Sequence, residues 1–248
     1  MSRGPLNAGQ LRRRLSEGDV TIGTFVGMSS ATAAEVCAAA GADWILIDLE
    51  HGAGGEDAVR DGVIAAGSYG VPSIVRVESG DRIRIGRVLD QGAAGIMVPR
   101  LTAVDQAAES VRHMLYPPHG DRGVATYNRS CRWGMDRRTL TEPGQETLGV
   151  IQIETLEALA SVEDIAAQDG VDVVFVGPWT CPTRWGPAAA GQQRIPRGPP
   201  ARRSRGRAAQ QGGRNPGSGR RRGRKVRPAG LPVRRHRLRL HHHGGGVP

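Results

Sequence analysis

Three short stretches of this chain end in side chains able to move protons or hold negative charge. IDLEHG (47–52) carries Asp48, Glu50 and His51, PSIVRV (72–77) carries Arg76, and IQIET (151–155) carries Gln152 and Glu154. Asp48 lies three residues before His51, a spacing that could orient the imidazole and favour its protonated form, giving an acid/base near neutral pH. The alternative is a capping or surface histidine. Arg76 interrupts an apolar run, so its charge needs a partner. An anionic substrate or a developing enolate would serve, and so would a structural pair with Glu50 or Glu154. Glu154 is an oxygen donor suited to Mg²⁺ or Mn²⁺, although one carboxylate does not make a metal site.

These residues need a scaffold that brings distant segments together. From residue 20 the sequence alternates short β-branched runs with Ala-rich helical ones, the pattern of parallel βα units. Strands are predicted over 21–27, 43–49, 72–77, 95–99, 149–154 and 171–177, with helices near 30–40, 57–68, 81–91, 103–115 and 157–168. Several strands are apolar on both faces, as strands covered by helices are. No glycine-rich dinucleotide turn is present, so the expectation is an α/β chain of (β/α)₈ barrel lineage with six of its eight units recognisable. In such a barrel the three polar stretches would meet at the C-terminal rim. Segment 117–146 is rich in Gly, Pro and Arg, and its length suggests a lid, a binding loop or a subunit contact, or else a surface excursion without a role.

Charge divides the chain sharply at Pro178. Of 34 Lys and Arg residues, 16 precede the break, together with all 24 Asp and Glu, so the formal charge is −8 before it and +18 after it. Residues 1–178 have the composition of an incomplete barrel domain. Residues 179–248, mostly Arg, Gly, Pro, Ala and Gln, hold too few large apolar residues to build a core and are expected to be disordered. Cys37, Cys131 and Cys181 lack the spacing of a disulfide framework or a zinc site. Cys37 reads as a small buried apolar residue. With no signal-like or membrane-spanning apolar run, the expectation is a soluble cytoplasmic protein without a membrane partner.

Taken in order, IDLEHG (47–52), PSIVRV (72–77), LDQGAAGIMVPRL (89–101), YPPHGDRG (116–123), IQIET (151–155) and GVDVVFVGP (170–178) resemble the HpcH/HpaI aldolase family over about residues 5–178. The resemblance implies a class II aldolase that cleaves a 4-hydroxy-2-oxo acid to pyruvate and an aldehyde. It implies that His51, supported by Asp48, handles protons at the 4-hydroxyl, and that Arg76 stabilises the pyruvate enolate. Gln152 would help hold the small-molecule 2-oxo acid, Glu154 would bind a divalent ion (Mg²⁺, Mn²⁺ or Co²⁺), and Glu50 and Asp90 would be supporting members of the rim. It further implies a homo-oligomer, commonly a hexamer exchanging C-terminal helices. A related lyase acting on a CoA thioester fits IDLEHG and IQIET less well.

The sequence then departs from that family. Its last strand is followed in the family by Asp-Leu-Ser, whose Asp is a second metal ligand, whereas this chain reads Trp179, Thr180, Cys181. A neutral hydroxyl is a poor substitute for a carboxylate. Codons for WTCPTRWG (179–186) can be chosen so that regrouping them one nucleotide earlier gives Asp-Leu-Ser-His-Ala-Leu-Gly. Out-of-frame GC-rich DNA also yields Arg, Gly, Pro and Ala, so the basic tail is expected to be a frameshift product. A barrel lacking two strands cannot close, and little activity and poor solubility are expected. The rival reading is an inactive barrel fragment with a basic nucleic-acid-binding tail. No aromatics follow Trp185 to stack bases, so specific nucleic-acid recognition is not expected.

Overall fold

The computed structural model describes residues 8–136, 140 and 146–177, together with the backbone of 239–240. After a first helix, α1 (Ala8–Glu17), the chain alternates strictly: β1 (Ile22–Val26), α2 (Ala31–Ala39), β2 (Trp44–Asp48), α3 (Glu56–Ser68), β3 (Ser73–Arg76), α4 (Arg82–Asp90), β4 (Gly95–Val98) and α5 (Val104–Met114). A long connection with one 3₁₀ turn (Arg132–Gly134) leads to β5 (Leu148–Ile153), two short helices α6 (Leu156–Ala160) and α7 (Val162–Ala166), and β6 (Val173–Val176). The six strands are parallel and lie in sequence order. A sheet without a reversal of strand order curls toward a barrel, which bears out the (β/α)₈ lineage.

Period-two alternation assigns the two faces of the sheet. Ile45, Ile47, Val75, Ile96, Val98, Ile151 and Ile153 point outward into one buried cluster with the helices. Trp44, Leu46, Ile74, Met97, Leu148, Val150, Val173 and Phe175 point inward and form a second, where α1 contributes Leu11. Gly23 leaves room for the indole of Trp44, into which any Cβ at that position would run.

All six expected strands are present. Helix α1 was not expected. It is held by tertiary contacts: Leu11 is 3% exposed, Arg12 Nε donates to Asp172 at 2.7 Å, and Arg14 Nη1 to Asp43 at 2.7 Å. The helix expected over 157–168 is split at Ser161. Cys37 is partly buried against the outer cluster and Cys131 is buried. No helix among the described residues is long and apolar enough to cross a membrane. The expectations for 179–248, the frameshift and Cys181 included, lie outside the described residues except at Arg239–Leu240, a two-residue strand β7 that pairs in parallel with Ile22–Gly23.

Candidate active site

The inward-facing rows of the sheet are apolar at their start and polar at their end. Trp44 and Leu46 lead to Asp48, Ile74 leads to Arg76, and Leu148 and Val150 lead to Gln152 and then Glu154. Asp48 and Arg76 are register partners on β2 and β3, as are Gln152 and Phe175 on β5 and β6. A polar cluster therefore sits on an apolar plug at the C-terminal rim, formed by residues separated by up to 106 positions in sequence.

Arg76 is its hub. Its Nε donates to Asp48 Oδ1 at 2.9 Å and its Nη2 to Oδ2 at 2.6 Å, a bidentate fork. Nη1 lies 3.2 Å from Glu50 Oε2 and 3.5 Å from Gln152 Oε1. The guanidinium stands over the Phe25 ring at 5.2 Å, and Phe25 packs on Phe175 at 5.9 Å. Burial lowers the affinity of Arg76 for its proton, but the bonds and charge of Asp48, with Glu50 and Glu154, more than restore it. Its side chain is 11% exposed, and it stays charged.

The two neighbouring acids respond oppositely. Burial pushes the Asp48 carboxyl up, but Arg76 and the backbone N–H groups of His51 and Glu50 outweigh it and hold it below its ordinary value. For Glu50 burial wins: its carboxyl is raised despite Arg76 and His51, with Glu154 and Asp48 adding repulsion. Glu50 Oε2 is buried and makes no hydrogen bond of acceptable geometry, although Arg76 is near. His51 Nε2 lies 3.7 Å from that same oxygen, with the ring 72% exposed.

This arrangement corrects one expectation. Asp48 was expected to orient the His51 imidazole, but it accepts the backbone N–H of Glu50 at 3.1 Å and of His51 at 3.3 Å. Both of its oxygens are committed to Arg76, because a charge on an inner strand position takes the carboxylate opposite it in register. Asp48 thus shapes the turn while Glu50 faces the ring. Gly52 closes that turn, where a Cβ would strike the Asp48 carbonyl oxygen.

Glu154 Oε1 accepts the backbone N–H of Arg100 at 2.7 Å, and Oε2 accepts Gln152 Nε2 at 3.2 Å. Arg100, two residues past β4, was not anticipated. A polar residue just beyond a barrel strand was the available signal. Glu154 suits a hard cation chemically, yet both its oxygens are already bonded. Among the described residues no group of three or more His, Cys, Asp or Glu could hold a metal ion. The resemblance implies a second carboxylate where the sequence has Thr180, so the described residues by themselves do not fit a divalent ion.

Asp90 does not lie at the rim of its own chain. It ends α4, the end that leads into the start of β4, and accepts Arg122 Nη2 at 2.7 Å. The described part of the connection after α5 is fastened at that same end through Arg122. There Arg122 stacks on Tyr116 at 4.4 Å and donates to Ser130 Oγ at 3.3 Å. Residues 137–139 and 141–145 of the segment expected to be a lid, binding loop or subunit contact lie outside the described residues.

The sequence model of the HpcH/HpaI aldolase/citrate lyase family matches residues 21–180. Over 174 residues the chain is 41% identical to a 4-hydroxy-2-oxovalerate aldolase of Rhodococcus jostii (strain RHA1), covering 70% of this chain and 66% of that protein. It is 38% identical over 174 residues to a pyruvate aldolase of Rhizobium etli, covering 70% and 68%. A solved HpcH/HpaI aldolase/citrate lyase family protein from Burkholderia cenocepacia J2315 superposes with a TM-score of 0.68 at 35% identity over 72% of each chain. The chain spans about two thirds of the length of the curated relatives it matches. With the family model matching more than half of its residues and relatives about two fifths identical, the chain belongs to the HpcH/HpaI aldolase/citrate lyase family.

Proposed function

We propose that the rim is the site of a pyruvate-type aldolase acting on a 4-hydroxy-2-oxo acid. The observation that carries this reading is the cluster of Arg76, Gln152 and Glu50 at the end of an apolar plug, with the His51 ring 3.7 Å from Glu50. His51, with Glu50 beside it, takes the proton of the 4-hydroxyl. The C3–C4 bond then breaks, C4 leaves as the aldehyde carbon, and the electron pair remains on C3 as the enolate of pyruvate. Arg76 donates N–H to the enolate oxygen in a poorly hydrated setting, where such bonds are strong. Return of the proton to C3 gives pyruvate. Gln152 would orient the 2-oxo acid through its amide.

The relatives' names support aldol chemistry, and the family's divalent ion would supply a further electron sink at the 2-oxo oxygen. This chain supplies Glu154 and lacks the second carboxylate, so no step is routed through the ion. We propose that turnover by this chain is weak for that reason, and that residues from Trp179 onward are read out of frame. The test is pyruvate release from a 4-hydroxy-2-oxo acid with Mg²⁺, Mn²⁺ or Co²⁺. It compares this chain with one whose frame restores Asp-Leu-Ser after Pro178. Release confined to the restored chain is expected, and equal release by both would overturn the impairment.

The +18 charge of 179–248 favours one second reading, a nucleic-acid-binding tail on an inactive fragment. A salt-dependent gel shift lost on deleting 179–248, with RNA recovered from cells, would support it. A shift unaffected by the deletion would remove it.

A further inference from the structure

We infer that Arg100 is a specificity-determining residue that holds a second negative charge on the substrate, at the end remote from the 2-oxo acid. This rests on the aldolase reading of the rim and deepens it: the aldehyde fragment would be one bearing a terminal carboxylate or phosphate.

Backbone, position and charge all support this role. Arg100 has φ +61°, a left-handed conformation that costs an arginine about 1 kcal/mol or more and suits glycine. What that conformation achieves structurally is the 2.7 Å bond from its backbone N–H to Glu154 Oε1. Glycine would make the same bond without strain. The guanidinium is therefore not explained by the backbone. It is exposed, and it has no hydrogen bond or ion pair among the described residues. The backbone bond fixes the Arg100 Cα within about 4.2 Å of the Glu154 oxygen, taking N–Cα as about 1.46 Å. An arginine side chain rooted there is long enough to reach a substrate at the rim beside Gln152 and Glu154.

The charge balance gives the guanidinium a purpose. Asp48, Glu50 and Glu154 face one buried cation, Arg76, whose fork is already occupied by Asp48. An acid entering this rim meets an excess of carboxylate, and a dianion meets more. A second guanidinium at the mouth offsets that excess and recognises a carboxylate or phosphate in bidentate geometry.

The experiment measures dissociation constants by calorimetry for pyruvate, 2-oxoglutarate and 2-keto-3-deoxy-6-phosphogluconate. Proteins compared are the full chain, Arg100→Gly, Arg100→Lys and a surface-charge control, Arg60→Ala. Arg100→Gly keeps the N–H to Glu154 and relieves the strain, so it removes only the guanidinium. The full chain should bind one of the two acids with a second anionic terminus about ten-fold tighter than pyruvate, and which one identifies carboxylate or phosphate as that terminus. Arg100→Gly should abolish that preference, weakening the acid with the second anionic terminus about ten-fold more than pyruvate, Arg100→Lys should keep part of the preference, and Arg60→Ala all of it. Pyruvate binding without any preference, or a preference that survives Arg100→Gly, overturns the inference and leaves the aldolase reading standing. Failure of all three acids to bind overturns both.

Discussion

Two buried Arg–Asp pairs sit at opposite ends of this half-barrel, and only one of them reads as a site. At the rim, Arg76 (11% exposed) forks onto Asp48 (8%). At the other end, Arg122 (5%) holds Asp90 (30%) and stacks on Tyr116. Both arginines are buried and paired, and a buried ion pair is weak evidence for either stability or function. Their surroundings differ. Arg122 donates through Nη2 both to Asp90 and to Ser130 of the loop it anchors, itself bonded to Asn128. Arg76 lies among more carboxylate than it can neutralise, with Glu50 pushed toward its protonated form and an exposed imidazole alongside.

The largest expected effect is on the rim pair. Asp48→Asn leaves Arg76 buried without its fork and should destabilise the fold by about 3 kcal/mol or more at neutral pH, read by urea unfolding. Arg122→Ala should cost a similar amount, about 3 kcal/mol, and increase amide exchange across 116–136. It should leave pyruvate affinity within about two-fold, below about 0.4 kcal/mol. Loss of pyruvate binding in Arg122→Ala would break the comparison. Asp90→Asn is milder, about 1 kcal/mol, because the carboxylate is partly solvated.

A pH profile sharpens the contrast within the rim. The Glu50 carboxyl is raised in the fold, so its contribution is fully present below its unfolded value of 4.5 and is lost as pH rises through the folded value. Asp48 is lowered, so its contribution is present above 3.8 and is lost as pH falls through the folded value. Glu50→Gln should therefore remove a decline in stability above pH 4.5. Asp48→Asn should remove an acid-side loss below pH 3.8. Identical profiles for the two variants would contradict the opposite environments assigned to them.

The strands were legible because β-branched apolar runs bounded by turn residues have few other uses. Asp48, Arg76, Gln152 and Glu154 were legible because a polar residue ending an apolar inner row marks the rim. Helix α1 was not, since Leu11 and Leu15 among three consecutive arginines make a weak stripe, and it is held by tertiary contacts, the burial of Leu11 in the inner cluster with ion pairs to Asp172 and Asp43. Spacing suggested an Asp48–imidazole contact, and cross-strand register with Arg76 overrode it. The place of Asp90 was not legible, because the LDQG motif carries no mark of which end of the barrel the last residue of α4 faces. Arg100 was passed over because no regular pattern contains it, and only the strained backbone and its bond to Glu154 single it out.

The most direct test of the central claim is pyruvate binding by calorimetry to the full chain, Arg76→Lys and Arg122→Ala. Lysine keeps the charge and loses the fork, so Arg76→Lys should bind pyruvate about ten-fold more weakly while Arg122→Ala binds as the unaltered chain does. Equal binding by the unaltered chain and Arg76→Lys would contradict the assignment of the rim as the aldolase site.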